Sequence, residues 1–143
     1  MAAVLIVDDE QVVRNVLTRW LQNTGHKIYE AESADAALQL LEKLPVGVVF
    51  SDIQMPGHDG IWLTTEIRKR YPTTAVVLAT AVSTIAPRFS MQSGVLAYLV
   101  KPFSQDAVLD ALSTALAWHT QAASSPPQKF AIDELQSWLD SLI

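Results

Sequence analysis

The chain contains no cysteine. That excludes a disulfide scaffold and a thiolate metal site, and it fits a reducing compartment. Basic residues are scarce: ten Lys and Arg face fifteen Asp and Glu, for a formal net charge of −5. They are spread thinly, without the cluster that tracks a phosphate backbone, so no direct nucleic-acid partner is expected. No apolar run reaches membrane-spanning length, and no membrane partner is expected. The opening residues, MAAVLIVDDE, lack a basic stretch, and their apolar run is too short for a secretory signal. A soluble, cytoplasmic protein is the expectation. Hydrophobic residues are plentiful: half of the 143 positions, enough to give one domain a real core.

Apolar runs and helical spacings alternate along the chain. Ala3 to Val7 is a continuous apolar run ending in Asp8-Asp9-Glu10, which reads as a buried strand. Residues 11–23 place Val12, Val13, Val16, Leu17, Trp20 and Leu21 at helical spacing, and Gly25 closes that helix. Lys27 to Ala31 alternates weakly, as an edge strand does. Ser33 is a candidate N-cap for a helix carrying Ala37, Leu38, Leu41 and Leu44. Residues 47–51 form another buried run. It ends at Asp52 and the Met55-Pro56-Gly57 turn. A helix with Ile61, Leu63 and Ile67 inward spans Gly60 to Arg70. Ala75 to Ala79 and Val95 to Val100 read as the fourth and fifth strands. Ser104 can cap a last helix with Val108, Leu109, Leu112, Ala115 and Leu116 inward. Five alternations at short spacing call for an α/β fold. A parallel sheet between two helical layers, a three-layer αβα sandwich, is expected.

Chemistry collects at the carboxyl ends of these strands, the edge where open α/β sheets bind ligands. Asp8 and Asp9 follow strand one, Asp52 ends strand three, Thr80 ends strand four and Lys101 ends strand five. Singly, each has a plain alternative. Asp8 and Asp9 could cap the first helix, Asp52 could cap a turn, Thr80 could be an ordinary strand-end residue, and Tyr98 could be core. Together, three carboxylates must take up a proton or share a hard cation. Mg2+ suits an oxygen-only site that keeps several waters. A lysine and a hydroxyl beside it could hold a phosphoryl group, with Asp52 as the carboxylate that accepts it.

Four stretches, in order, carry a family resemblance over about residues 3–120: Val4-Leu5-Ile6-Val7-Asp8-Asp9-Glu10, Asp52-Ile53-Gln54-Met55-Pro56-Gly57, Thr80-Ala81, and Tyr98-Leu99-Val100-Lys101-Pro102-Phe103. The chain resembles the receiver domain of two-component response regulators, of the chemotaxis-regulator type. The resemblance implies a flavodoxin-like sheet in the order 2-1-3-4-5. It implies Asp52 as phosphoacceptor from a sensor histidine kinase or phosphotransfer protein. Mg2+ would be held by Asp9, Asp52 and the Gln54 backbone carbonyl, with Asp8 a ligand through water. Lys101 would contact the phosphoryl oxygens, Thr80 would donate to them, and Tyr98 would be the aromatic switch. Lys101-Pro102 is expected to be cis. Such a protein is a signalling phosphoacceptor rather than an enzyme acting on others. It would report through the surface formed by its fourth helix, fifth strand and fifth helix.

The chain also departs from the family pattern. Pro87 interrupts the expected fourth helix. Val95-Leu96-Ala97 and the lack of Lys or Arg over residues 104–119 argue against the dimer used by one large subfamily, although a homodimer of another kind stays open. That face is apolar and would be buried against a partner or against the tail. The expected layout is a receiver domain over residues 1–121, a linker over 122–131 and an amphipathic tail helix over 132–143. The tail carries Ile132, Leu135, Trp138, Leu139 and Leu142. The output partner is not named by the sequence. The competing reading is a phosphorylation-independent interaction domain on the same fold.

Overall fold

The computed structural model describes residues 2–81 and 94–124, with the Thr80 side chain excepted. The elements are β1 (Ala3–Val7), α1 (Gln11–Gln22), β2 (Lys27–Ala31), α2 (Ala34–Lys43), β3 (Val46–Asp52), α3 (Gly60–Arg70), β4 (Ala75–Thr80), β5 (Val95–Val100) and α4 (Gln105–Ser124). All five strands are parallel, in the order β2-β1-β3-β4-β5. The expected short helix with Pro87, and the tail over 132–143, lie outside the described residues. α4 runs to Ser124, so the first residues of the expected linker are helical.

Strand alternation builds two cores from one sheet. Successive side chains point to opposite faces. In β1, Leu5 and Val7 therefore pack with Leu38, Leu63 and Ile67 under α2 and α3. Val4 and Ile6 turn the other way, to Leu17, Leu21, Val108 and Leu112 under α1 and α4. Both faces of β1 and β3 are buried, which explains their unbroken apolar runs. The weakly alternating β2 is an edge strand, as its pattern implies.

Local signals set the helix starts. Ser33 Oγ accepts from the Ala36 N–H at 3.1 Å, and Ser104 Oγ accepts from the Ala107 N–H at 3.1 Å. Asp59 caps α3 by accepting from the Trp62 N–H at 2.8 Å. α1 differs from its apolar pattern. Val12 is 72% exposed, while Arg14 is buried. The arginine can take an inward position because its guanidinium is engaged: Nη1 donates to the Asp8 carbonyl at 2.6 Å, Nη2 donates to Gln11 at 2.7 Å, and Nε lies 3.3 Å from Glu30.

Candidate functional site

Parallel pairing brings the strand ends together. Val7 lies opposite Ser51, and Asp52 lies opposite Ala79. Asp8 thus follows β1 beside the end of β3. Both acids are buried, at 2% and 5% exposure. Lys101 follows β5, across β4 from β3. Its ammonium reaches back to both: Nζ donates to Asp8 Oδ2 at 3.0 Å and to Asp52 Oδ2 at 3.1 Å. Glu10 stands 3.8 Å from the same nitrogen. The Lys101-Pro102 bond is cis.

Each carboxylate is also held by backbone. Asp8 Oδ1 accepts from the Glu10 N–H at 2.9 Å, and Asp52 Oδ1 accepts from the Gln54 N–H at 3.3 Å. Neither Asp8 nor Asp9 caps α1. The N-cap is Glu10, which makes no side-chain capping bond. Carboxylate oxygens of Asp8, Asp9, Glu10 and Asp52 all lie within 4.8 Å of one another. An oxygen-only set of this charge fits a hard divalent cation such as Mg2+.

Opposing forces act on the two central charges. Burial pushes the Asp52 carboxyl up. Lys101 pulls it down through charge and hydrogen bond, Asp8 adds to the rise, and the Gln54 N–H opposes it; the balance is upward. For Lys101, burial disfavours the cation, but the hydrogen bond to Asp8 and the charges of Asp52 and Asp8 outweigh burial and hold it above its ordinary value. The lysine substitutes, in part, for the positive charge that the acids call for.

The family model of the response regulator receiver domain matches residues 4–113. The chain belongs to that family. The receiver domain is 41% identical over 110 residues to the response regulator protein FleR of Pseudomonas aeruginosa, covering 76% of this chain and 23% of FleR. It is 36% identical over 122 residues to the DNA-binding transcriptional regulator NtrC of Klebsiella pneumoniae, covering 85% of this chain and 26% of NtrC. The chain thus spans about a quarter of the length of these regulators. Among solved structures, the response regulator protein TrrA of Thermotoga maritima, in complex with Mg2+-BeF, superposes with a TM-score of 0.71 at 33% identity. That match covers 81% of this chain and all of TrrA. Phosphorylation and Mg2+ binding are the general mechanism of receiver domains, which are signalling modules rather than enzymes of the usual kind.

The structure brings Asp8, Asp9, Asp52 and Lys101 together and sets Gln54 beside them. Thr80 ends β4 opposite Val100; its side chain is outside the described residues. Tyr98 pairs with Leu78 in β5, is half-buried against the α2–α3 core, and has its phenol pushed up by burial. Two supports escape a reading of the sequence alone. Arg14 fixes the Asp8 carbonyl, and only a lone basic residue in an otherwise buried helix face hinted at it. Gly60 opens α3 so close to β3 that a Cβ there would overlap the Asp52 carbonyl oxygen. Its N–H donates to the Ile53 carbonyl at 2.8 Å.

His58 lies exposed in the loop before α3. Its ring stacks on Trp62, with centroids 3.6 Å apart at 9°, and Nδ1 lies 3.1 Å from Asp35. No helix among the described residues is long and apolar enough to cross a membrane.

Proposed function

We propose that Asp52 accepts a phosphoryl group from the phosphohistidine of a sensor kinase or phosphotransfer protein, and that the phosphorylated domain controls a partner or output domain. The observation that carries this reading is the single ammonium shared at 3.0 and 3.1 Å by two buried carboxylates on adjacent strands. That contact supports Lys101 as the counter-charge to a phosphoryl oxygen attached to Asp52. A carboxylate oxygen of Asp52 forms the new P–O bond as the P–N bond of the donor breaks. The electron pair stays on the imidazole nitrogen, which takes a proton from water. Asp8, Asp9, Asp52 and the Gln54 carbonyl would hold Mg2+, whose role is to neutralise charge on the phosphoryl oxygens.

Backbone groups and the Arg14 side chain do the positioning. Gln54 N–H orients Asp52, Arg14 and Glu10 N–H orient Asp8, and Gly60 lets α3 close on the Asp52 carbonyl. Thr80 would donate to the attached phosphoryl group, and Tyr98 would follow Thr80 inward. The cytoplasm, where sensor kinases present their phosphohistidine, is the proposed location.

The test is mass spectrometry of the intact protein after incubation with Mg2+ and a small acyl phosphate. One phosphoryl adduct is expected, absent when the metal is chelated and absent in Asp52→Asn. An adduct that persists in Asp52→Asn would overturn the site assignment. No adduct on a protein that binds Mg2+ would overturn the function.

A further inference from the structure

The opposite edge of the sheet carries a second feature, which phosphoryl transfer does not use. α2 and α3 both end there, and between them lies a groove of about 420 Å3. Its walls are largely apolar: Leu44 and Pro45 after α2, and Tyr71 and Pro72 after α3. His119 of α4 closes one side. Its Nδ1 donates to the Thr73 carbonyl at 2.6 Å, and its ring lies against Gly47, where a Cβ would sit 2.8 Å from the imidazole. The glycine admits the ring, and the ring ties α4 to the groove.

We propose that this groove is the docking site of the chain's own tail, residues 132–143. Three observations converge on that occupant. The tail starts in the right place: α4 ends at Ser124, five residues, or about 8 Å along the helix, from the groove-lining His119. The connection is long enough: residues 125–131 can span about 25 Å when extended, and Pro126-Pro127 favours extension. The chemistry matches. Ile132, Leu135, Trp138, Leu139 and Leu142 form one apolar stripe, which an isolated helix of this length cannot leave in water and remain folded. The same segment carries Asp133, Glu134 and Asp140 and no basic residue. At the two helix ends beside the groove, Lys43, Lys69 and Arg70 outnumber Glu42 and Glu66. Glu66 already meets Arg70 at 3.0 Å, so the charge term is the smaller part and apolar burial the larger.

The absence of native cysteine makes a direct test possible on the full chain. Ser137→Cys, off the apolar stripe, takes a single spin label, and amide signals are followed by NMR. Leu44, Tyr71, Thr73 and His119 are expected to lose intensity preferentially, and Leu135→Glu, a change in the apolar stripe of the tail, should restore them. Mixing spin-labelled chains with isotopically labelled chains that carry no spin should give no such loss. Loss confined to another face, or no preferential loss, overturns the proposal. Loss seen only in the mixture overturns it in favour of a second copy in the groove.

Discussion

Two cations, Lys101 partly buried and Arg68 buried, mark the two edges of the sheet, and their settings are opposite. At the carboxyl edge, Lys101 is enclosed by Asp8, Asp52 and Glu10, and its ammonium is held above its ordinary value despite burial. At the amino edge, Arg68 is 4% exposed. Nη1 donates to the Pro72 carbonyl at 3.2 Å, and the guanidinium lies 5.4 Å from the Trp118 ring centre. Among the described residues, Nε and Nη2 have no hydrogen-bond partner. Burial alone pushes Arg68 down, to about 10. The upper cation therefore belongs to a charge network that a ligand can rearrange. The lower one acts through its bulk and its face on Trp118, as a spacer between α3 and α4.

A glycine clears the way at each edge, and the larger expected effect lies at the upper one. Gly60→Ala would drive a Cβ into the Asp52 carbonyl, a backbone atom that cannot turn aside. A loss of about 3 kcal/mol is expected in denaturant unfolding, with phosphoryl acceptance impaired because Asp52 itself moves. At Gly94 the overlap would be with the end of the Arg68 side chain, which has more freedom to shift, and the main cost would be the left-handed backbone at φ +81°. An unchanged Gly60→Ala variant would show that α3 does not set the position of Asp52.

The same chemical change then separates the two cations. Lys101→Met leaves two buried carboxylates facing each other without their counter-charge. It should cost about 2 kcal/mol at neutral pH, less than a fully buried pair because the lysine is partly exposed. Mg2+ should recover part of that loss by binding only the folded state. Arg68→Met removes a buried charge that lacks a carboxylate partner among the described residues, while keeping an unbranched side chain on Trp118. Stability should stay within about 1 kcal/mol of the parent, on the stabilising side. Thermal unfolding of both variants, with and without Mg2+, gives the comparison. A large loss in Arg68→Met would mean that the lower cation is electrostatically paired after all.

The carboxyl edge was legible in the sequence for a physical reason. Each of its residues sits where an apolar run stops, so a strand end and a chemical group coincide in the text. The caps at Ser33 and Ser104 were legible because they act within three residues. The amino edge was not. Arg68 stands in the text beside Lys69 and Arg70 at a basic helix end, yet it turns under the sheet toward Trp118, fifty residues away. His119 gave no signal, since its partners Gly47 and Thr73 lie in other elements. Val12 looked apolar and inward, but helix spacing fixes only which residues share a stripe. The direction of the stripe was decided by Arg14, whose carbonyl and carboxylate partners exist only once β1 and β2 are paired.

The smallest effect asks whether burial or Lys101 governs Asp52. Its folded value lies above the ordinary 3.8, so the folded state holds a proton on Asp52 more tightly than the unfolded chain does. Ionising Asp52 therefore costs stability. The cost is absent below pH 3.8, grows as pH rises through the folded value, and is complete above it. Asp52→Asn cannot ionise and escapes it. In chelator, the variant should match the parent at low pH and exceed it at neutral pH. It would gain that stability while losing phosphoryl acceptance, as expected where a site holds like charges together for function. If the parent is instead the more stable at neutral pH, the attraction of Lys101 outweighs burial and the repulsion of Asp8. The carboxyl edge would then be a closed ion pair rather than an arrangement short of positive charge, and the contrast with Arg68 would narrow to one of partner number alone.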